Sequence, residues 1–291
     1  MTTSTTRDTD ARHRSADIDQ KKLYRHYRSV PDTEDYARML ELERNWIIPR
    51  VQEFESRAPH FATRGDLLKA LRERHAAEEA EIGESESHRF LAEEATMEQF
   101  KKVVAEFAVD GLTESQSLLP IVPRLPYRSG MAVFRVLIDE LGCGNEQQAH
   151  SQLYRDLLTE LGMSTDLEHY VEEAGPESLA YVNLFYWLTS RAPAPDYFLG
   201  AYAYFEASVL YGFRGFARAA ERLGIHKHAY YTEHLYIDSY HSQQMRIAIR
   251  AMDEEVGLDT AKVWAGVEIT SAIVDEANEA AIARARGVTA P

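Results

Sequence analysis

The stretch DYARMLELERNWIIPRVQEFE, Asp35–Glu55, decides the class of this fold. Tyr36, Met39, Leu40, Leu42, Trp46, Ile47 and Val51 recur at helical spacing with charged residues between them, the mark of an amphipathic helix. The same style continues through Leu67–Glu81 and Arg89–Phe107. Gly130–Leu141 and Glu146–Leu161 repeat it on either side of Gly142-Cys143-Gly144-Asn145. Glu177–Arg191 and Asp196–Leu223 are aromatic-rich helices separated by Ala192-Pro193-Ala194-Pro195, and His226–Val256 and Asp259–Arg286 complete the series. Pro120, Pro123 and Pro126 must interrupt regular helix. No segment alternates with period two, so the sequence predicts an all-α bundle in a single domain over residues 21–291. Residues 1–20 mix Thr, Arg and Asp without an apolar run, which predicts a disordered tail and no export signal, hence a cytoplasmic location.

Composition removes several functions. The 291 residues carry 47 acidic against 32 basic side chains, a net charge of −15, which repels a phosphate backbone and argues against nucleic acid as a partner. Leu179–Leu188 is the best apolar run and is too short to span a membrane, besides being interrupted by Asn183. Cys143 is the only cysteine, so neither an internal disulfide framework nor a thiolate-rich metal site can form. Gly-rich phosphate loops, Gly-x-Ser-x-Gly and His-Glu-x-x-His are absent, as is the Glu-x-x-His pair of a ferritin-type di-iron bundle.

The remaining chemistry is carboxylate and imidazole. His234, Asp238 and His241 stand at i, i+4 and i+7 and project along one helix face, a mixture that suits a divalent cation such as Fe(II) or, alternatively, an ordinary polar face. Glu140 ends an apolar helical run beside Asp139, and His150 follows ten residues later across the glycine break. On an unbroken helix the two would diverge by about 80°, so only a change of phase at the glycines brings them to a common centre. Glu206 lies among Tyr202, Tyr204, Phe205 and Val209, where a carboxylate must be protonated, paired with Arg214 or Arg218, or bound to a cation.

Glu114, Pro123-Arg124-Leu125, Asp139-Glu140-Leu141-Gly142-x-Gly144, His150-Ser151-x-Leu153-Tyr154 and the late His234-x₃-Asp238-x₂-His241 segment, in that order and spacing, resemble the haem-oxygenase-like di-iron oxidase and oxygenase family. The resemblance covers roughly residues 85–255 and implies a haem-oxygenase-like helical bundle. It implies one iron on Glu140, His150 and His241, and a second on His234 and Asp238, with Glu206 near or between them. Glu114 matches a further acid carried by some members, N-oxygenases among them. This chain has Ser115-Gln116-Ser117-Leu118 where those N-oxygenases have Ala-Asp-Pro-His.

The implied function is activation of O2 by two irons to oxidise a small amine or amino-acid-derived substrate, by N-oxygenation, oxidative cleavage or desaturation, in biosynthesis. An external electron donor and a homodimer are further expectations. Arg124 is a candidate for binding a substrate carboxylate, and Tyr181, Phe185, Tyr202 and Tyr204 are candidates for the pocket wall. Two other classes stay open: a cofactor-independent or other enzyme of the same fold, and a non-enzymatic acidic helical binding protein.

Overall fold

The computed structural model describes residues 15–288, which contain fourteen α-helices and no strand. The first seven are α1 (Gln20–Arg28), α2 (Thr33–Asn45), α3 (Ile47–Ser56), α4 (Arg64–Glu84), α5 (Glu86–Arg89), α6 (Met97–Glu106) and α7 (Ala108–Thr113). The rest are α8 (Tyr127–Glu140), α9 (His150–Glu160), α10 (Leu167–Glu173), α11 (Pro176–Ser190), α12 (Pro195–Arg222), α13 (Ala229–Val256) and α14 (Thr260–Arg286). The fold is the expected all-α, haem-oxygenase-like bundle. No described helix is long and apolar enough to cross a membrane.

Several expected boundaries move for identifiable reasons. The helix predicted over Asp35–Glu55 breaks at Trp46, whose φ of −122° and ψ of −78° separate α2 from α3. Pro49 has no N–H to return to the carbonyl of Asn45, so an unbroken helix would leave that acceptor without its partner. The Arg89–Phe107 segment is interrupted before Thr96, whose hydroxyl and Gln99 form a reciprocal capping box that starts α6. The segment expected from Glu146 begins four residues later, at His150, because Asn145 to Ala149 are spent on turning the chain.

Residues 1–14 of the expected disordered tail lie outside the described residues. The last part of that tail differs from expectation: Ser15–Asp17 is a short 3₁₀ turn, Ser15 is buried, and its hydroxyl donates to Glu276 at 2.7 Å. Glu276 also receives the buried Arg50 guanidinium at 2.7 Å, so an ion pair supplies the anchor that an apolar residue would otherwise give. Asn183, the polar break in the apolar run of α11, is fully buried and donates to the carbonyl and side-chain oxygens of Gln20 at 2.8 and 2.9 Å.

One hydrophobic cluster runs from Leu23 to Ala285, and its centre is α12 packed against α13 and α14. The contact of α12 with α14 depends on two missing side chains. A Cβ at Gly200 would fall 1.8 Å from the carbonyl oxygen of Val263, and one at Gly266 would fall 2.0 Å from that of Tyr197. Backbone meets backbone there, so neither clash can be relieved by a rotamer change. We expect Gly266→Ala to force the helices apart and cost about 2–3 kcal/mol of unfolding free energy in urea titrations; an unchanged midpoint would contradict this contact.

On the other side of α12, Arg74 and His75 of α4 meet Tyr204, Tyr211 and Glu78. Both phenols donate to Glu78 at 2.8 Å, and His75 stacks on Tyr204 with 5.1 Å between ring centroids. Burial lowers the His75 pKa from 6.5 to about 4. The unfolded chain therefore takes up this proton before the folded one, so stability is complete above about pH 6.5 and falls as pH drops towards 4. The loss should approach about 2 kcal/mol after allowance for partial solvent contact. His75→Phe should flatten that part of the pH–stability curve, as measured by denaturant unfolding at a series of pH values.

Candidate metal centre

Five helices meet around the predicted acids and histidines. The Gly142–Gly144 turn provides the change of phase that unites Glu140 with His150. Gly142, Cys143 and Gly144 have φ of 66°, 53° and 84°, three successive left-handed residues that reverse the chain between α8 and α9. His150 Nδ1 then lies 2.8 Å from Glu140 Oε2. The middle residue, Cys143, stays at the surface with its thiol against Asp139.

Helix α13 supplies His234, Asp238 and His241, all buried. His234 Nε2 approaches His150 Nδ1 at 3.1 Å and Glu114 Oε1 at 3.5 Å. Its other nitrogen, Nδ1, contacts the Tyr230 carbonyl one turn back at 2.6 Å, which holds Nε2 towards the centre. His241 Nδ1 faces Glu206 at 3.1 Å and Glu140 at 3.3 Å. It lies 3.2 Å from Asp238 Oδ1 without the angle of a hydrogen bond. Glu206 thus pairs with His241, while Arg214 and Arg218 go to Glu79 and Glu93.

These side chains fall into two groups whose ligand atoms lie within 4.8 Å of one another: Glu114, Glu140, His150 and His234, and Glu140, Glu206, Asp238 and His241. Glu140 belongs to both. The grouping differs from the one implied by family resemblance in that His234, not His241, joins Glu140 and His150. The reason is helical rise. Seven residues of α13 separate His234 from His241 by about 10 Å along its axis, so the two reach different ends of the cluster.

The electrostatics favour positive charge. Burial pushes Glu140 up, but the imidazoles of His150, His234 and His241 more than offset this and hold it well below the usual carboxylate range. Burial works against charged His234 and His241, yet Glu114 and Glu206 respectively lead the acids that raise them to about 10 and about 11. Burial raises Asp238. Both Oδ atoms of Asp238 and Nε2 of His241 are buried with no hydrogen-bond partner. Such orphaned atoms are costly unless something completes their coordination, and hard oxygen with borderline imidazole donors fits iron.

A cavity opens onto the cluster, touched by Glu114, Glu140, Glu206, His234 and Asp238. Tyr181, Phe185 and Tyr202 line it as expected. Tyr204 does not, because it faces α4 and Glu78. Arg124 is also absent from the lining: its guanidinium donates to the carbonyls of Leu188, Thr189 and Ala192 at the end of α11. That use caps a helix terminus and corrects the expectation of a substrate-carboxylate anchor.

Sequence reasoning missed three residues beside the cluster. Ser115 takes a left-handed φ of 63° directly after Glu114 and sends its hydroxyl to Glu140 at 3.3 Å. Tyr230 donates to Glu114 at 2.6 Å. Asp110 reaches the cavity from one turn before Glu114, a spacing that could have drawn attention to it.

Residues 101–273, which include every member of both groups, match the family described as iron-containing redox enzymes. A nitrosourea synthase from Streptomyces achromogenes subsp. streptozoticus is 29% identical over 149 residues. That similarity covers 49% of this chain and 31% of the relative's own length. Within the site, the Gly142 turn is constrained by both space and backbone conformation. A Cβ there would stand 2.5 Å from the Ala149 nitrogen at a positive φ. Gly142→Ala should cost about 2–4 kcal/mol and weaken metal retention by displacing His150, read by denaturant unfolding and by metal analysis after dialysis.

Proposed function

We propose that this chain, a member of the iron-containing redox enzyme family, is a non-haem di-iron oxidoreductase that uses O2 to oxidise a small amine or amino-acid-derived substrate. The observation that carries this reading is Glu140, shared between two carboxylate–imidazole groups. Glu114, Glu140, His150 and His234 would hold one iron, and Glu140, Glu206, Asp238 and His241 the other. When bound, two irons supply the electrons that reduce O2, with an external donor restoring them.

The chain's own residues do the rest. The contact of His234 Nδ1 with the Tyr230 carbonyl and the Tyr230 hydroxyl on Glu114 pre-set two donors before any substrate enters. Ser115 steadies one oxygen of Glu140. Tyr181, Phe185, Tyr202 and Phe205 exclude bulk water from one side of the cavity, which strengthens each electrostatic contact inside it. The absence of Lys and Arg from the described lining disfavours an anionic substrate there. N-oxygenation is the favoured outcome because the curated relative bears the name of a nitrosourea synthase, and a nitroso group contains a nitrogen–oxygen bond.

Anaerobic titration with Fe(II) tests the reading. Binding should saturate near roughly two irons per chain, His150→Ala and His241→Ala should each fall to about one, and Glu140→Ala should fall below that. Saturation at a single iron, or a Glu140→Ala variant that binds like the parent, would overturn it.

A further inference from the structure

A second cavity lies next to the first and shares Asp110, Tyr181 and Phe205 with it. Phe107, Tyr154, Phe213, Phe216, Tyr230 and Tyr231 supply aromatic walls. Several are already packed edge to face: Phe213 against Tyr231 at 5.5 Å, Phe107 against Phe216 at 6.1 Å and Tyr154 against Tyr230 at 4.7 Å. Asp110 stands at the junction. Its carboxylate receives a hydrogen bond from the Tyr181 hydroxyl at 3.2 Å, and neither cavity has a Lys or Arg among its described lining residues. Four other acids, Glu114, Glu140, Glu206 and Asp238, match the four positive charges of two Fe(II) ions. Asp110 is left outside that balance.

Resting on the reading of the first cavity as the substrate chamber of the redox centre, we infer that Asp110 and the aromatic chamber behind it form a subsite for a cationic nitrogen group, a primary ammonium or a guanidinium, at the non-reacting end of the substrate. A carboxylate among aromatic faces is the environment that such a cation prefers. It gains a charge-assisted hydrogen bond from the acid and quadrupole attraction from the rings, and it supplies the counter-ion that lets Asp110, held well above the usual carboxylate range by burial and Glu114, give up its proton. A nitrogen held there as a cation has no free lone pair, so it is protected from oxidation. The atom that reacts lies elsewhere in the molecule, where the substrate extends into the cavity lined by Glu140, Glu206 and His234. The substrate is accordingly bifunctional: a basic group at one end and an oxidisable centre at the other.

Three four-carbon probes separate the possibilities: n-butylammonium, n-butanol and butyrate, titrated calorimetrically into protein preloaded with metal under anaerobic conditions. The parent should bind n-butylammonium at least about tenfold more tightly than n-butanol, and butyrate most weakly. Asp110→Asn should abolish the preference for the cation while keeping its iron stoichiometry and thermal midpoint. A parent protein that prefers n-butanol or butyrate overturns the inference by itself, even if the variant does not fold. So does an Asn variant that keeps the cation preference. Repeating the parent and Asn titrations without metal separates this outcome from the fate of the di-iron reading. Failure to load iron with an Asp110-dependent cation preference refutes the metal assignment alone, and full iron loading without that preference refutes the subsite alone.

Discussion

Glu140 is buried to 4% exposure with three imidazoles around it, and the middle of the bundle is organised by that carboxylate. A single acid in an apolar interior would surrender its charge. Here His150 meets one oxygen and His241 the other, so burial and ionisation coexist. This requires α8, α9 and α13 to converge on one point. Helix α12 brings Glu206 to the same place, and the strained residue after α7 turns both Glu114 and the Ser115 hydroxyl inward.

A divalent cation has more to gain from this arrangement than a proton does. Protons can satisfy the imidazoles one at a time, but they leave both oxygens of Asp238 without hydrogen bonds. A metal ion takes several donors at once, which is why oxygen and imidazole ligands arranged around a shared carboxylate are selective for charge and coordination number together. The aromatic walls keep water from competing for that role.

Much of this was legible in the residue order. The helical period of Asp35–Glu55 and its successors carries the fold class, and the His234, Asp238 and His241 spacing places three donors on one face because the α-helix period is fixed. The Gly142-Cys143-Gly144 cluster was legible as a break that could bring Glu140 to His150, and the structure uses it so. Other features were not legible because they depend on partners distant in the chain. The division of the donors into two groups depends on which part of α13 lies opposite α9 and which opposite α12. The left-handed Ser115 has no residue-type signal, since serine rarely adopts that conformation. Arg124 looked like a free cation until the end of α11 was present to receive it.

The glycine contacts between α12 and α14 set an order of events during synthesis. Helix α12 cannot be fully seated until Gly266 and Val263 of the later helix α14 are available to lie against Tyr197 and Gly200. The same holds for the beginning of the described chain, where Ser15 and Arg50 wait for Glu276. Both segments are therefore completed by α14, which follows them in the chain, although domains usually fold progressively from their N-terminal side. Glu206 rides on the helix that waits, so its position in the cluster depends on the α12–α14 contact. Final placement of the whole donor set therefore depends on a helix that contributes no donor of its own.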